Sequence, residues 1–382
     1  MKPDTSIDIK QPVFQGGHAD SPDWEKAVEQ CLQQIGYIKP GFNVGFLYVT
    51  DAYAGVMSNL LSRFREATGV DHWVGTVGMG ICASGKEYHE TAALSAMIGT
   101  FPEDAFRILP VIKKAGGDPL SSLQDWLHPH RAYFGIVHGD PKNNSLPQLV
   151  SELYEALPNG FLVGGLSSSR GNCPQIADSV SSGGLSGVVF SDLVPVITGL
   201  TQGCNPIGKK HVITECERNI LAELDHRPAL DVFYEDIGEI LARDPQRIAG
   251  YIFAGLSIPG SDTGDYLVRN LFGIDPDKKL LAIGDILQTG QAIQFCRRDS
   301  NTAWEDLSRM LDNLKKRLPG PPRGGVYYSC MGRGQHLFGK NSDELRAIQN
   351  ELGEFPLVGF FANGEISHSR LYGYTGVLTL FL

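Results

Sequence analysis

Three short segments combine reactive or polar side chains with glycine-rich backbone: GCNPIG (203–208), SCMGRGQHLFG (329–339) and GFFANGEISH (359–368). Glycine backbone without Cβ atoms lets N–H groups approach an anion or a planar ligand closely. Arg333, set between two glycines, has the guanidinium fork that suits a carboxylate, and Glu365 could complement an amine; together they could read the zwitterionic head of an amino acid. Against this, Asn363-Gly364 also has the composition of a type I′ hairpin turn, which would leave Glu365 simply exposed. Cys204 and Cys330 are candidate nucleophiles, but neither has a histidine paired with it locally, so only spatial proximity could supply a base. The ten histidines are unclustered, and His336 and His368 stand out because they flank the dense motifs.

Several familiar chemistries are absent. GQHLFGKN (334–341) falls one residue short of a phosphate-binding P-loop, with Asn341 where the Mg²⁺-ligating hydroxyl belongs. There is no G-x-S-x-G, H-E-x-x-H, G-x-G-x-x-G or C-x-x-C-H signature. The seven cysteines form no C-x-x-C pair, which argues against a disulfide framework or zinc ribbon and for reduced thiols in a cytoplasm. A formal charge of −10 disfavours nucleic acid and anionic membrane surfaces. No apolar run approaches the length of a membrane span.

These motifs must be positioned by elements that recur. NVGFLYVT, YFGIVHGD and GVYYSC each read as an apolar strand, each followed by an amphipathic helix and a second strand centred on Val-Gly: Val74-Gly75, Val163-Gly164 and Val358-Gly359. A Gly-rich turn and a further strand complete each unit, which predicts an α/β fold with mixed sheets built from repeated β-α-β-β units. The first helix should bury Met57, Leu60, Leu61 and Phe64. Strand ends in such folds face ligands, so Thr50, His138 and Cys330 are expected at like positions. Between the second and third units, alternating strands predict an antiparallel sheet, with a helix beginning near PALDVFYEDIGEIL.

The order of GCNPIG, ECERNILAELDHRPALDVFYE, DYLVRNLFGIDPDKKLLAIGDILQTGQ, SCMGRGQHLFG, PLVGFFANGEI and YTGVLTLF resembles the FIST family, the sensory domain of F-box and intracellular signal transduction proteins. The resemblance runs from about residue 25 to the end. It implies an N-terminal extension over 1–24, a FIST N-terminal domain over 25–225 and a FIST C-terminal domain over 226–382. It implies a ligand-binding sensor rather than an enzyme, recognising an amino acid or similar small polar molecule and signalling to a separate effector such as a histidine kinase. Carried over residue by residue, the ligand-binding set is Cys204 and Pro206, then Cys330, Gly332, Arg333 and Gly334, and then Asn363, Gly364 and Glu365. Some similar bacterial proteins are described as haem-binding nitric oxide sensors, which makes haem the alternative cofactor and His336, His368 or His138 its candidate ligands. A cysteine-dependent enzyme is the third reading.

Overall fold

The computed structural model describes residues 13–38, 40–116, 126, 132–157, 160–238, 248, 250–258 and 266–382. Residues 1–12 of the N-terminal extension and the end of PALDVFYEDIGEIL therefore lie outside the described residues. The chain forms two compact units. One contains the chain up to Thr201 with 308–371 and 375–382; the other contains 202–307 with 372–374.

The first unit is a threefold repetition. Repeat one comprises β1 (Phe14–Asp20), α1 (Trp24–Ile35), β2 (Val44–Thr50), α2 (Met57–Thr68), β3 (His72–Gly78), the hairpin β4 (Gly80–Ala83) and β5 (Lys86–His89), and β6 (Ala93–Gly99). Repeat two comprises β7 (Phe106–Ile112), β8 (Ala132–Gly139), α3 (Leu146–Glu155), β9 (Phe161–Leu166), the hairpin β10 (Gln175–Ala177) and β11 (Ser179–Ser181), and β12 (Leu185–Ser191). Repeat three begins with β13 (Val196–Gln202) and is then interrupted by the second unit. That unit holds β14 (Cys204–Glu217), β15 (Ile220–Leu224), β16 (Arg227–Pro228), α4 (Ala229–Ile237), β17 (Ile252–Ser257), β18 (Tyr266–Asp275), β19 (Leu280–Ile283) and β20 (Ala292–Arg298). Repeat three continues with α5 (Ser300–Arg317), β21 (Gly324–Cys330), α6 (Asp343–Leu352), β22 (Leu357–Ala362), the hairpin β23 (Glu365–Ser367) and β24 (Arg370–Tyr372), and β25 (Thr375–Phe381).

The three sheets have matching orders: β1-β6-β2-β3-β10-β11, β7-β12-β8-β9-β23-β24 and β13-β25-β21-β22-β4-β5. In each, two parallel strands joined by a helix sit beside an antiparallel returning strand. The far edge is taken by a hairpin borrowed from another repeat. Repeat one lends its hairpin to the third sheet, repeat two to the first and repeat three to the second. Residues 1–24 thus include an edge strand, β1, paired with β6 from Phe14↔Gly99 to Asp20↔Ala93.

The recurring Val-Gly is explained by the parallel pairing. Phe46↔Val74, Ile136↔Val163 and Val326↔Val358 are in register, and the next residue on each second strand is the glycine. A Cβ on Gly75, Gly164 or Gly359 would lie 1.8 Å from the carbonyl oxygen of Leu47, Val137 or Tyr327, a distance no side chain tolerates. α2 buries Met57, Leu60, Leu61 and Phe64, as its spacing predicts, and ends at Gly69 in the left-handed conformation, whose N–H donates to the Arg65 carbonyl. Helices cover the outer sheet faces. The inner faces meet in one core containing Phe46, Phe134, Ile136, Phe190, Val326 and Phe381, so the central strands are buried on both sides and read as continuous apolar runs.

In the second unit every strand pairing is antiparallel. The order is β14-β20-β17-β18-β19-β15-β16, and β14 also pairs with β15, so six strands close on themselves as a barrel. β14 manages this because its first half runs along β20 and its second along β15. Leu230, Phe233 and Ile237 of α4 join Ile213, Leu221, Ile252 and Phe295 in the core of this unit. The family boundary expected at 225/226 falls at the Asp225–His226 turn inside this barrel.

Candidate functional site

The inner faces of the three sheets are layered. Toward the amino ends of the parallel strands the layers are apolar, and toward their carboxyl ends one layer is polar. On the first sheet this row is Ser95, Tyr48, Thr76 and Gln175; on the second, Ser186, His138, Gly165 and Glu365; on the third, Val377, Tyr328, Phe360 and Ile81. The rows meet on the pseudo-threefold axis. The Tyr48 hydroxyl is 3.0 Å from His138 Nε2 and 2.8 Å from the Tyr328 hydroxyl, and Phe360 stacks on Tyr48 with ring centroids 5.5 Å apart. The register corrects one expectation: the counterparts of His138 are Tyr48 and Tyr328, whereas Thr50 and Cys330 align with Asp140, two residues further on.

Burial sets the charge of this layer. His138 is fully enclosed, which pushes its pKa down to about 3 and keeps the ring neutral. Burial pushes the Glu365 carboxyl up to about 8, against the hydrogen bonds that its Oε2 accepts from Thr375 N at 3.1 Å and Oγ1 at 2.6 Å. With no cation bound beside it, the carboxyl is therefore mostly protonated at neutral pH.

Polar satisfaction is incomplete here. Among the described residues, nine buried side-chain nitrogen or oxygen atoms have no hydrogen-bond partner, and five belong to this layer: Ser95 Oγ, His138 Nδ1, Gln175 Oε1, Ser186 Oγ and Glu365 Oε1. Folded proteins leave few such atoms without a protein, water or ligand partner. The segment 167–174 crosses above the layer. Ser167 N donates to Gly139 O of the second sheet, Ser168 N donates to Val77 O of the first, and Ser168 Oγ donates to Phe361 O of the third. Ser167 Oγ also lies 2.6 Å from Thr76 Oγ1. At the surface, Arg170 donates to Asp51 through Nε at 2.7 Å and Nη2 at 2.6 Å.

The glycine-rich motifs take different places. Cys330 ends β21 and is half-buried, with Gly332 N 3.5 Å from its Sγ. Arg333 is fully buried: Nε and Nη2 donate to Glu344 Oε1 at 2.9 and 2.7 Å, and Nη1 is without a hydrogen-bond partner. Tyr327 Oη donates to the same oxygen, while Ser329 Oγ and Gly334 N donate to Glu344 Oε2. Tyr327 and Ser329 alternate along β21 with Tyr328, so this cluster lies on the helix side of the third sheet, away from the polar layer. Arg333 and Glu365 are thus held by different partners, Glu344 and Thr375, while the guanidinium still favours the charged form of the Glu365 carboxyl through space. Gly334, at φ 51°, is needed where a Cβ would meet the Phe361 ring at 2.6 Å. Asn363 is exposed and Gly364 half-buried; Asn363 N donates to Leu166 O and Gly364 O accepts from Leu166 N, which splices the borrowed hairpin onto β9. Glu365, two residues after Asn363, is buried rather than presented at a turn. Cys204 and Pro206 belong to the second unit, at the start of β14 against β20, with Cys204 buried and Pro206 exposed.

The FIST N domain model matches residues 43–227 and the FIST C domain model residues 229–368. An uncharacterized protein of Mycobacterium tuberculosis is 31% identical over 339 residues, which covers 85% of this chain and 87% of the relative. An uncharacterized protein of Mycobacterium bovis is 33% identical over 243 residues, 59% of this chain and 61% of the relative. The chain belongs to the FIST family. FIST domains are sensory domains of signal transduction rather than catalytic ones. The FIST N match starts just before β2 and runs through repeat two and β13 to the first strands of the barrel, and the FIST C match spans the rest of the barrel and repeat three from α5 to β23. No helix among the described residues is long and apolar enough to cross a membrane.

Haem does not fit the histidines of this FIST chain in the expected way. His138 Nε2 is taken by Tyr48, and the ring is hemmed in by Tyr48, Tyr328 and Phe360 at centroid distances of 5.4, 6.1 and 6.0 Å. His368 sits exposed on a turn at φ 57°, and His336 is also exposed, edge-on to His89. Among the described residues no group of three or more His, Cys, Asp or Glu is placed to hold a metal ion. Sequence reasoning missed Tyr48, Tyr328, Ser95, Ser186 and Gln175. The available signal was a polar residue inside each apolar first strand: Tyr in FLYVT, His in GIVHG and Tyr in VYYSC.

Proposed function

We propose that this FIST protein senses a small polar molecule, of amino-acid size or smaller, bound in the axial polar layer, and passes that event to a separate effector protein such as a histidine kinase. The observation that carries the reading is the set of five buried, partnerless polar atoms at the carboxyl ends of parallel strands, the position where α/β sheets take their ligands. A bound molecule would supply the missing partners. Occupancy would shift the balance between arrangements of the covering segment 167–174, because a ligand moves an equilibrium only through contacts that differ between states. The surface carrying Arg170 would report the change. Amino acids remain the first class to try, with recognition by the layer replacing recognition by Arg333. A thermal-shift screen across amino acids, neutral amides, polyols, carboxylates and haemin tests the reading, since a ligand at 100 times its Kd adds about 2.7 kcal/mol of stability. Failure of every class to raise the melting temperature would refute it.

A further inference from the structure

The three repeats create three equivalent junctions in the polar layer, each formed by one borrowed-hairpin residue, one returning-strand residue and one first-strand residue. They are Gln175, Ser186 and His138; Ile81, Ser95 and Tyr48; and Glu365, Val377 and Tyr328. Two junctions contain an aliphatic side chain. The first is polar throughout, all three of its residues are buried with 2% or less exposed surface, and each has an atom without a partner.

We propose that the junction of Gln175, Ser186 and His138 binds a small uncharged amide, and that segment 167–174 is its lid. This rests on the small-ligand reading above and narrows it to one place and one chemical class.

The hydrogen-bond order defines what the junction offers. Gln175 Nε2 donates to His138 O at 2.8 Å and to Gly184 O at 3.0 Å, which fixes the amide and leaves Oε1 as an acceptor. If Tyr328 donates to Tyr48 and Tyr48 donates to His138 Nε2, both hydroxyl protons are used and Nδ1 carries the ring proton. The reverse order strands the Tyr328 proton, so Nδ1–H is the donor left over. Ser186 can serve either way. One acceptor, one donor and one hydroxyl complement a carboxamide, whose oxygen accepts from Nδ1–H and whose N–H donates to Oε1. An ion would lose its hydration without gaining a counter-charge. The carboxylate of Asp140, just past the end of β8, is already accepting from Lys142 N and Gly183 N, both at 3.0 Å.

The lid is particular to this repeat. Where β3 and β4 are separated by Met79 alone and β22 and β23 by Asn363 and Gly364, β9 and β10 are separated by 167–174. The extra length spans the three sheet ends and is fastened by Arg170, exposed to water, on the nearly buried carboxylate of Asp51.

The test titrates the full chain with acetamide and propionamide, and with acetate and methylammonium as charged counterparts, following melting temperature and binding heat. The amides should raise the melting temperature in a dose-dependent way and the ions should not. Ser186→Val, which copies Val377 of another junction, should abolish the response; should it fail to fold, Ser186→Ala removes only an unpartnered hydroxyl and should weaken amide binding by about fivefold to tenfold. Asp51→Asn should speed both association and dissociation several-fold while leaving Kd nearly unchanged. Acetate acting as well as acetamide, or an amide response that survives both Ser186 variants, overturns the proposal. If another compound of the wider screen binds and the Ser186 variants do not affect it, this site fails while the sensory reading stands; if nothing binds at all, both fail.

Discussion

Replacing Arg333 separates a structural role from ligand recognition. Arg333→Met keeps much of the stem that carries the guanidinium over the Phe338 ring, 4.9 Å from its centroid, and removes the charge with both bonds to Glu344. Glu344 then stays enclosed with three donors, Tyr327 Oη, Ser329 Oγ and Gly334 N, and no counter-charge. Breaking one side of a buried pair costs about 3–5 kcal/mol, and the three surviving donors place this site toward the lower end. At roughly 2–4 °C per kcal/mol for a large domain, the melting temperature should fall by at least about 6 °C. Arg333→Met combined with Glu344→Gln should recover a substantial part of the loss, because the stranded charge is gone, and urea unfolding of all four proteins gives the coupling as a double-mutant cycle. Arg333→Lys, which lacks the planar guanidinium that brings Nε and Nη2 together onto Glu344 Oε1, should also destabilise the ligand-free protein, by about 1.5–3 kcal/mol. Unchanged ligand-free stability in Arg333→Lys, together with weakened binding of a carboxylate ligand, would refute the structural assignment.

Stability should depend on pH in two opposed ways, measurable by urea titration. Glu365 binds its proton up to about pH 8 when folded but only to about 4.5 when unfolded, so stability falls by about 1.4 kcal/mol per pH unit as pH rises through that window. His138, neutral down to about pH 3 when folded, makes stability fall as pH drops from about 6.5, so the two slopes cancel between about 4.5 and 6.5; Glu365→Gln should remove the decline above about pH 6.5 and leave stability rising with pH between about 4.5 and 6.5. Alkylation followed by peptide mapping should label the half-buried Cys330 and Cys216 first, with Cys31, Cys82 and Cys296 protected by burial, which raises their thiol pKa values, to about 12 for Cys296. Gly359→Ala should cost about 3 kcal/mol or more, because its Cβ meets the Tyr327 carbonyl, while Gly320→Ala, with nothing within 4 Å, should leave the melting temperature nearly unchanged.

The repeat was legible because apolar runs and Val-Gly pairs are local features. Its register was not, because the connections between paired strands differ in length between repeats, and His138 matches Tyr48 and Tyr328 rather than the strand-end residues Thr50 and Cys330. Hairpin lending left no trace, since β4 pairs with a strand some 280 residues away and nothing local in Ile81 names Phe360 as its neighbour. The motifs around Arg333 and Glu365 were visible as dense clusters of chemistry. Which carboxylate Arg333 would meet depended on the turn that brings Glu344, at the start of α6, beneath β21. Cys216 reads as a packing residue from its strand pattern, yet it is half-exposed on the barrel.

The lending of hairpins in a circle has a consequence for how the chain is made. Synthesis proceeds from the amino end, so β4 and β5 leave the ribosome long before β22, the strand that seats them, and β9 waits for β23 with its outer edge open. The ring can close only when the last repeat arrives, after the whole barrel has been translated. Until then the nascent chain carries a hairpin without a seat and a seat without a hairpin, each ready-made for the complementary part of a second nascent chain. Neighbouring ribosomes on one message hold such chains close together, so correct closure is a race between the chain's own last repeat and its neighbour's.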